Sequence, residues 1–114
     1  MNTSFNALIV PARLVHPVHI GLVQLDLPAL QRLAGREVGV VAGGDWHVYL
    51  DSGGIRYTEN VRAEVLMREA GVDLDETIHG TAMFLGHGGP GDGADAPQHL
   101  IRLAEQLFDM PPAA

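Results

Sequence analysis

The chain has 114 residues, 46% of them apolar and 18% charged, which is the composition of one ordinary globular domain. It contains no cysteine, and this excludes a disulfide framework, a thiolate metal site and a cysteine nucleophile. Fourteen acidic residues accompany seven basic ones, and the net charge of −7 argues against a general nucleic-acid-binding surface.

The first half of the chain alternates strand signals with one helix signal. Four strands are expected there, over residues 6–11, 16–25, 37–42 and 46–50. Between the second and third of them, residues 26–35 predict a short helix, since Asp26 can cap its start and Gly35 its end. The last two strands flank a Gly-Gly-Asp turn that begins at Gly43, which predicts a hairpin.

In the second half we expect a short strand over 55–57, a helix over 60–70 and a second strand over 78–85. A glycine-rich loop over 86–96 and a last helix over 97–109 follow. Asn60 or Thr58 can cap the first of these helices. The strand expected over 78–85 has apolar residues at both its odd and its even positions, which predicts a central strand that is covered on both faces. The glycine-rich stretch predicts a mobile loop or lid.

This order of elements favours an α+β domain, because hairpins dominate and no regular alternation of strands and helices appears. We expect a single mixed or mostly antiparallel sheet of five to six strands. The helices at 26–35 and 60–70 should pack on that sheet, and the C-terminal helix should follow the glycine-rich loop. Residues 1–114 then form one domain, whose core spans about 7–86.

Five short segments have an order and spacing typical of one family. They are LIVP at 8–11, LQRLAGREV at 30–38, WHVYL at 46–50, NVRA at 60–63 and IHGTAMFLG at 78–86. On these segments the chain resembles the domain-of-unknown-function family 3846. The resemblance implies a small protein of a phage, a plasmid or a high-GC, actinobacterial genome. The family brings no established catalytic residues to carry over.

Six histidines make metal or acid–base chemistry the first enzymatic hypothesis. His16 and His19 stand three apart in a predicted strand, so they point to opposite faces and cannot chelate one ion together. His47 and His79 could join Asp45 in a His-His-Asp group, which keeps a small hydrolase or lyase as an alternative function. The main expectation is that no metal or cofactor is bound.

Two other catalytic patterns are missing from the sequence. The glycine-rich stretch has neither the spacing nor the lysine of a phosphate-binding loop, and the chain contains no lysine at all. The serines, Ser4 and Ser52, stand outside any nucleophile-elbow pattern. A serine nucleophile and a nucleotide-binding loop are therefore not expected.

The ligand-binding candidates are polar or aromatic residues near glycine-rich turns and a helix start: Arg56, Asn60, Arg62, Trp46 and His87. Backbone N–H groups at a helix start can hold an anion, and guanidinium groups can add directed hydrogen bonds to it. The competing interpretations are structural. Asn60 can be a helix cap, Arg62 a solvated surface group and Trp46 a core residue.

The absence of a nucleophile, a phosphate-binding loop and a clear metal site favours a non-enzymatic protein that binds a host protein or a small anionic ligand. The resemblance implies that it is an accessory protein of mobile-element type. A structural subunit of a larger complex is a further alternative to the hydrolase or lyase. No apolar run reaches membrane-spanning length and no signal segment opens the chain, so we expect a cytoplasmic protein without membrane contact. Nucleic acid is not an expected partner, and homo-oligomerisation remains open.

Overall fold

The computed structural model describes residues 4–24, 38–51, 58–75, 77–87 and 93–108. These parts of the chain form β1 (Ser4–Val10), β2 (His19–Gln24), β3 (Val38–Ala42), β4 (Trp46–Asp51), α1 (Val61–Glu69), β5 (Ala82–His87), β6 (Gly93–Ala94) and α2 (Gln98–Leu107). The helix expected over 26–35 and the short strand expected over 55–57 lie outside the described residues.

The sheet has the strand order β2-β1-β5-β4-β3, and the short β6 pairs with the end of β5. Every strand pairing among the described residues is antiparallel. The predicted α+β class is therefore confirmed, and the sheet that was expected to be mixed or mostly antiparallel is antiparallel in all its described pairings. The strand with apolar residues at both parities is central, as expected, although it begins at Ala82 rather than at Ile78.

Alternate side chains of the central strand β5 are buried in two apolar clusters, one on each face of the sheet. Phe84 faces both helices, and its ring centroid lies 5.6 Å from that of Trp46. The main residues of this helix-covered face are Leu8, Val10, Trp46, Val48, Leu66, Met67, Phe84, Leu100 and Ala104. The opposite face buries Ala7, Ile9, Val23, Met83 and Leu85. The C-terminal helix α2 thus packs on the sheet together with α1.

The helix α1 begins and ends as its sequence predicts, whereas α2 ends at Leu107, before the end expected at residue 109. Asn60 caps α1, because its side-chain oxygen accepts a hydrogen bond from the Ala63 N–H at 3.0 Å. Just beyond α1, Gly71 has a φ of 97°, a backbone conformation that favours glycine. No helix in the described ranges is long and apolar enough to cross a membrane.

Both described ends of the glycine-rich stretch belong to the sheet, which differs from the loop expected over 86–96. Gly86 continues β5 and pairs with Ala94 of β6. The chain then bonds to β1, since the Asn6 N–H donates to Asp95 Oδ1 at 2.7 Å and the Ala96 N–H donates to the Asn6 carbonyl at 2.8 Å. A Cβ on Gly86 would lie 2.6 Å from the Asp95 carbonyl oxygen, so glycine is required at this close approach. Residues 88–92 lie outside the described residues.

Candidate functional site

Of the five predicted ligand-binding residues, the structure describes the side chains of Trp46, Asn60 and Arg62. Arg56 lies outside the described residues, and His87 is described only as backbone of β5. Trp46 is buried in the core, where its indole covers Gly43 so closely that a Cβ there would lie 2.2 Å from the ring. Asn60 and Arg62 stand together at the start of α1, and both side chains bind the protein's own backbone.

Asn60 joins three segments of the chain. Its side chain is fully buried, and its amide group donates to the carbonyls of Val10 at 2.7 Å and Gly80 at 2.8 Å. The amide oxygen accepts from Ala63 as the helix cap. All these bonds are internal, so the structure supports the helix-cap interpretation of Asn60 and gives it a further role in fixing the end of β1.

Arg62 holds the loop between β1 and β2. Its Nη2 atom donates to the carbonyl oxygens of Pro11 at 2.8 Å, Arg13 at 3.0 Å and His16 at 2.6 Å. Burial lowers the pKa of Arg62 below its usual value, while the guanidinium keeps its charge at neutral pH. The Nη2 group of Arg62 thus donates to the carbonyl oxygens of this loop.

The loop that Arg62 holds exposes two apolar side chains. Leu14 is 75% exposed and Val15 is 82% exposed, although neighbouring Val18 is buried in the core. A backbone hydrogen bond of 3.1 Å from His16 N–H to the Arg13 carbonyl closes the turn between them. An ordered loop with an apolar tip is therefore presented at one end of the β1–β2 hairpin.

The strand β2 lies at one edge of the sheet and, in the described part of the chain, pairs with β1 alone. Asn6 directs its N–H and carbonyl away from β2, towards Asp95 and Ala96, so its pairing with Leu22 carries no ladder hydrogen bonds. By the antiparallel alternation, Ile20 and Leu22 direct their own N–H and carbonyl groups to the outside of the sheet.

The same two residues expose their side chains. Ile20 is 39% exposed and Leu22 is 70% exposed, both on the helix-covered side of the sheet that Leu8 shares. We call Leu14, Val15, Ile20 and Leu22 the β2 edge surface. An added strand binds to a sheet edge through two features, the outward N–H and carbonyl groups of the edge strand and the apolar side chains beside them.

The charge of this hairpin differs from that of the rest of the chain. Residues 4–24 contain Arg13, His16 and His19 but no aspartate or glutamate, and all fourteen acidic residues come later. The opposite edge, β3, also exposes an apolar residue, Val40, which is 56% exposed, but its hairpin carries the acidic Asp45 and Asp51. The β2 edge surface is thus the less acidic of the two sheet edges.

A second polar cluster surrounds Glu64 of α1. This side chain is buried, and its Oε2 atom accepts from the Ile78 N–H at 3.0 Å while Oε1 lies 3.9 Å from Arg68. A side-chain hydrogen bond to Glu64, together with the charge of Glu64, raises the pKa of Glu59. His79 lies opposite Glu59 in a short antiparallel bridge, so the cluster ties the start of α1 to the approach to β5.

The residues of the hydrolase alternative lie apart. The Asp45 carboxylate binds His99 Nε2 of α2, at 2.7 and 2.8 Å. His47 lies against Tyr49 on the face of the sheet that the helices do not cover, and the two ring centroids are 5.0 Å apart. His79 lies before the first residue of β5, Ala82. No group of three histidine, aspartate or glutamate side chains in the described ranges is arranged to hold a metal ion.

No family model, no curated protein and no solved structure matches this chain. The resemblance to the domain-of-unknown-function family 3846 stays a prediction.

The β2 edge surface was not among the sites predicted from the sequence. The alternation around Ile20 and Leu22 predicts a strand, but its place at an edge depends on the pairing of β1 with β5, far along the chain. One signal was present in the sequence, since the first 25 residues contain no carboxylate side chain in a chain of net charge −7.

Proposed function

We propose that this is a non-enzymatic accessory protein that binds another protein by taking an extended segment of it onto β2. The observation that carries the proposal is the coincidence at Ile20 and Leu22 of outward-facing backbone groups with exposed apolar side chains. Strand addition uses both features, because the backbone supplies hydrogen bonds and the side chains supply apolar contact.

The energetics of such an edge favour binding without a large rearrangement. The outward N–H and carbonyl groups of Ile20 and Leu22 can make up to four hydrogen bonds with an added strand, each worth about 0.5–1.5 kcal/mol net. Burial of the apolar side chains adds about 25 cal/mol for each Å² removed from water. Arg62 already orders the neighbouring loop, so less conformational entropy is lost on binding.

The other functions considered have less support from the geometry. The separation of Asp45, His47 and His79 gives no support to the hydrolase or lyase alternative. The engagement of Arg62 with the loop weakens the case for a small anionic ligand at the start of α1. A host protein as the partner, in the cytoplasm of a cell that carries a mobile element, is the setting that we propose from the resemblance.

The proposal can be tested by site-specific crosslinking, because the chain has no cysteine of its own. Leu22→Cys carries a benzophenone maleimide at the β2 edge surface. Val40→Cys, on the opposite edge strand, is the matched control. Both labelled variants are illuminated in extract of the source cells, with and without an excess of unlabelled wild-type protein, and crosslinked peptides are sequenced by mass spectrometry.

We expect the Leu22→Cys variant to crosslink one protein through a short continuous segment, in a reaction that unlabelled protein suppresses. The Val40→Cys variant should not crosslink that segment. Equal labelling by both variants would contradict the proposal. Crosslinking of Leu22→Cys only to another copy of this chain would show that the edge serves self-association instead.

A further inference from the structure

We infer that the segment bound by β2 runs antiparallel to it and carries two apolar residues, two positions apart, followed two positions later by an acidic residue. This inference rests on the proposed function and specifies the partner's chemistry. It follows from the side-chain register of β2 and from the charge of the hairpin.

The register fixes the two apolar positions. In an added strand, the residues opposite Leu22 and Ile20 form hydrogen-bonded pairs with them, and their side chains lie on the same side of the sheet. Those residues are two apart in the partner and meet exposed apolar side chains, so they should be apolar. The residue between them lies opposite Gly21, over which the Ile9 side chain extends to within 2.7 Å of the ideal Cβ position. The identity of that middle residue is therefore less constrained.

The direction fixes the acidic position. All described pairs of this sheet are antiparallel, and antiparallel pairing is slightly more stable for each residue than parallel pairing. An antiparallel partner passes Leu22 first and Ile20 second, and then continues beside the loop that carries Arg13 and His16. No carboxylate side chain belongs to residues 4–24, so an acidic residue there meets positive charge on the hairpin rather than repulsion.

A second copy of the chain satisfies only part of this pattern. In an antiparallel pairing of two β2 strands about Gly21, Ile20 of each copy lies opposite Leu22 of the other. Gln24 then takes the position of the acidic residue. The apolar contacts are matched, but the charge contact is lost, and two chains of net charge −7 repel each other at long range.

The test uses three blocked, fluorescein-labelled peptides of nine residues and measures fluorescence anisotropy with the full-length protein. One peptide carries valines at positions three and five and glutamate at position seven. The second replaces the glutamate by lysine, and the third replaces both valines by serine. Protein variants are Arg13→Glu, the edge variant Leu22→Glu, and the control Arg102→Glu on the exposed side of α2.

We expect the glutamate peptide to bind at least fivefold more tightly than the lysine peptide at low salt, and the serine peptide to bind at least tenfold more weakly than the glutamate peptide. Arg13→Glu should reverse the preference between glutamate and lysine, and 0.5 M salt should reduce it. Leu22→Glu should abolish binding of all peptides, and Arg102→Glu should leave the order unchanged.

Equal binding of the glutamate and lysine peptides, with loss on Leu22→Glu, would overturn the acidic assignment and leave the proposed strand addition standing. Failure of every peptide, while the Leu22→Cys crosslink still identifies a partner segment, would overturn the sequence pattern alone. Failure of both experiments would overturn the proposed function. Dimers in sedimentation that Leu22→Glu dissociates, with no peptide bound, would assign the edge to a second copy.

Discussion

Replacing Arg62 by alanine should release the loop that bears the apolar tip of the β2 edge surface. The Nη2 atom has two hydrogens for the carbonyls of Pro11, Arg13 and His16, so the three contacts amount to about two full hydrogen bonds. Hydrogen bonds from a charged donor contribute about 1.5–3 kcal/mol each, and exposure to water of two of the three contacts reduces this to about 1 kcal/mol each.

The expected loss for Arg62→Ala is therefore about 2 kcal/mol of unfolding free energy, with a small further loss from the buried part of the side-chain stem. At roughly 4 °C for each kcal/mol, the melting temperature should fall by about 8 °C. Arg62→Lys keeps the positive charge but lacks the planar set of N–H donors of a guanidinium, and its loss of unfolding free energy should be about half as large. Arg102→Ala, an exposed arginine of α2, should stay within about 0.5 kcal/mol of the wild type.

Urea denaturation gives the free energies, and amide hydrogen exchange shows where the structure opens. Exchange should accelerate at residues 12–16 in Arg62→Ala and remain unchanged in β5. The variant should also bind the glutamate peptide more weakly, because the loop is no longer ordered beforehand. A loss below about 0.5 kcal/mol with unchanged exchange in the loop would refute the role assigned to these three hydrogen bonds.

Three further results are expected. Asn60→Ala should lose about 3 kcal/mol in urea denaturation, since it removes a helix cap and leaves two buried carbonyls without their amide donor; a loss under about 1 kcal/mol would contradict this. The raised pKa of Glu59 means that the folded state holds its proton more tightly than the unfolded state. The resulting stability is present at low pH and is lost as the pH rises above the ordinary value of 4.5, and Glu59→Gln should flatten this fall in melting temperature measured between pH 4 and 7. Phe84→Ala should lose about 3–5 kcal/mol in denaturation, because the ring is fully buried in the central strand.

The local elements follow from short stretches of sequence. Asn60 followed by an apolar periodicity was enough to predict the start of α1, and the apolar residues at both parities around Phe84 were enough to predict a central strand. In both cases the signal is carried by neighbours in the chain. Glu64 and Arg68 stand four positions apart in α1, a spacing that brings side chains together on a helix, and their Oε1 and Nη1 atoms lie 3.9 Å apart.

The candidate site depends on contacts between distant parts of the chain, which local patterns do not encode. The side chain of Arg62 donates to carbonyls that lie 46 to 51 positions earlier, and these contacts tie α1 to the loop between β1 and β2. The Asn6 amide meets Asp95 at a separation of 89 positions. That contact sets which residues of β2 face outward, so the edge geometry at Ile20 and Leu22 could not be predicted from the alternation alone.

The place of β5 between β1 and β4 has a consequence for how the protein is made. The β1–β2 and β3–β4 hairpins are each close in sequence, and both precede the strand that joins them. During synthesis at about 5–20 residues per second, the strands of both hairpins are complete for seconds before residues 82–87 are added. In that interval the inner edges of β1 and β4 lack their permanent neighbour and can pair with other nascent chains. Slow translation before residue 82 should therefore lower the yield of soluble protein, and faster delivery of β5 should raise it.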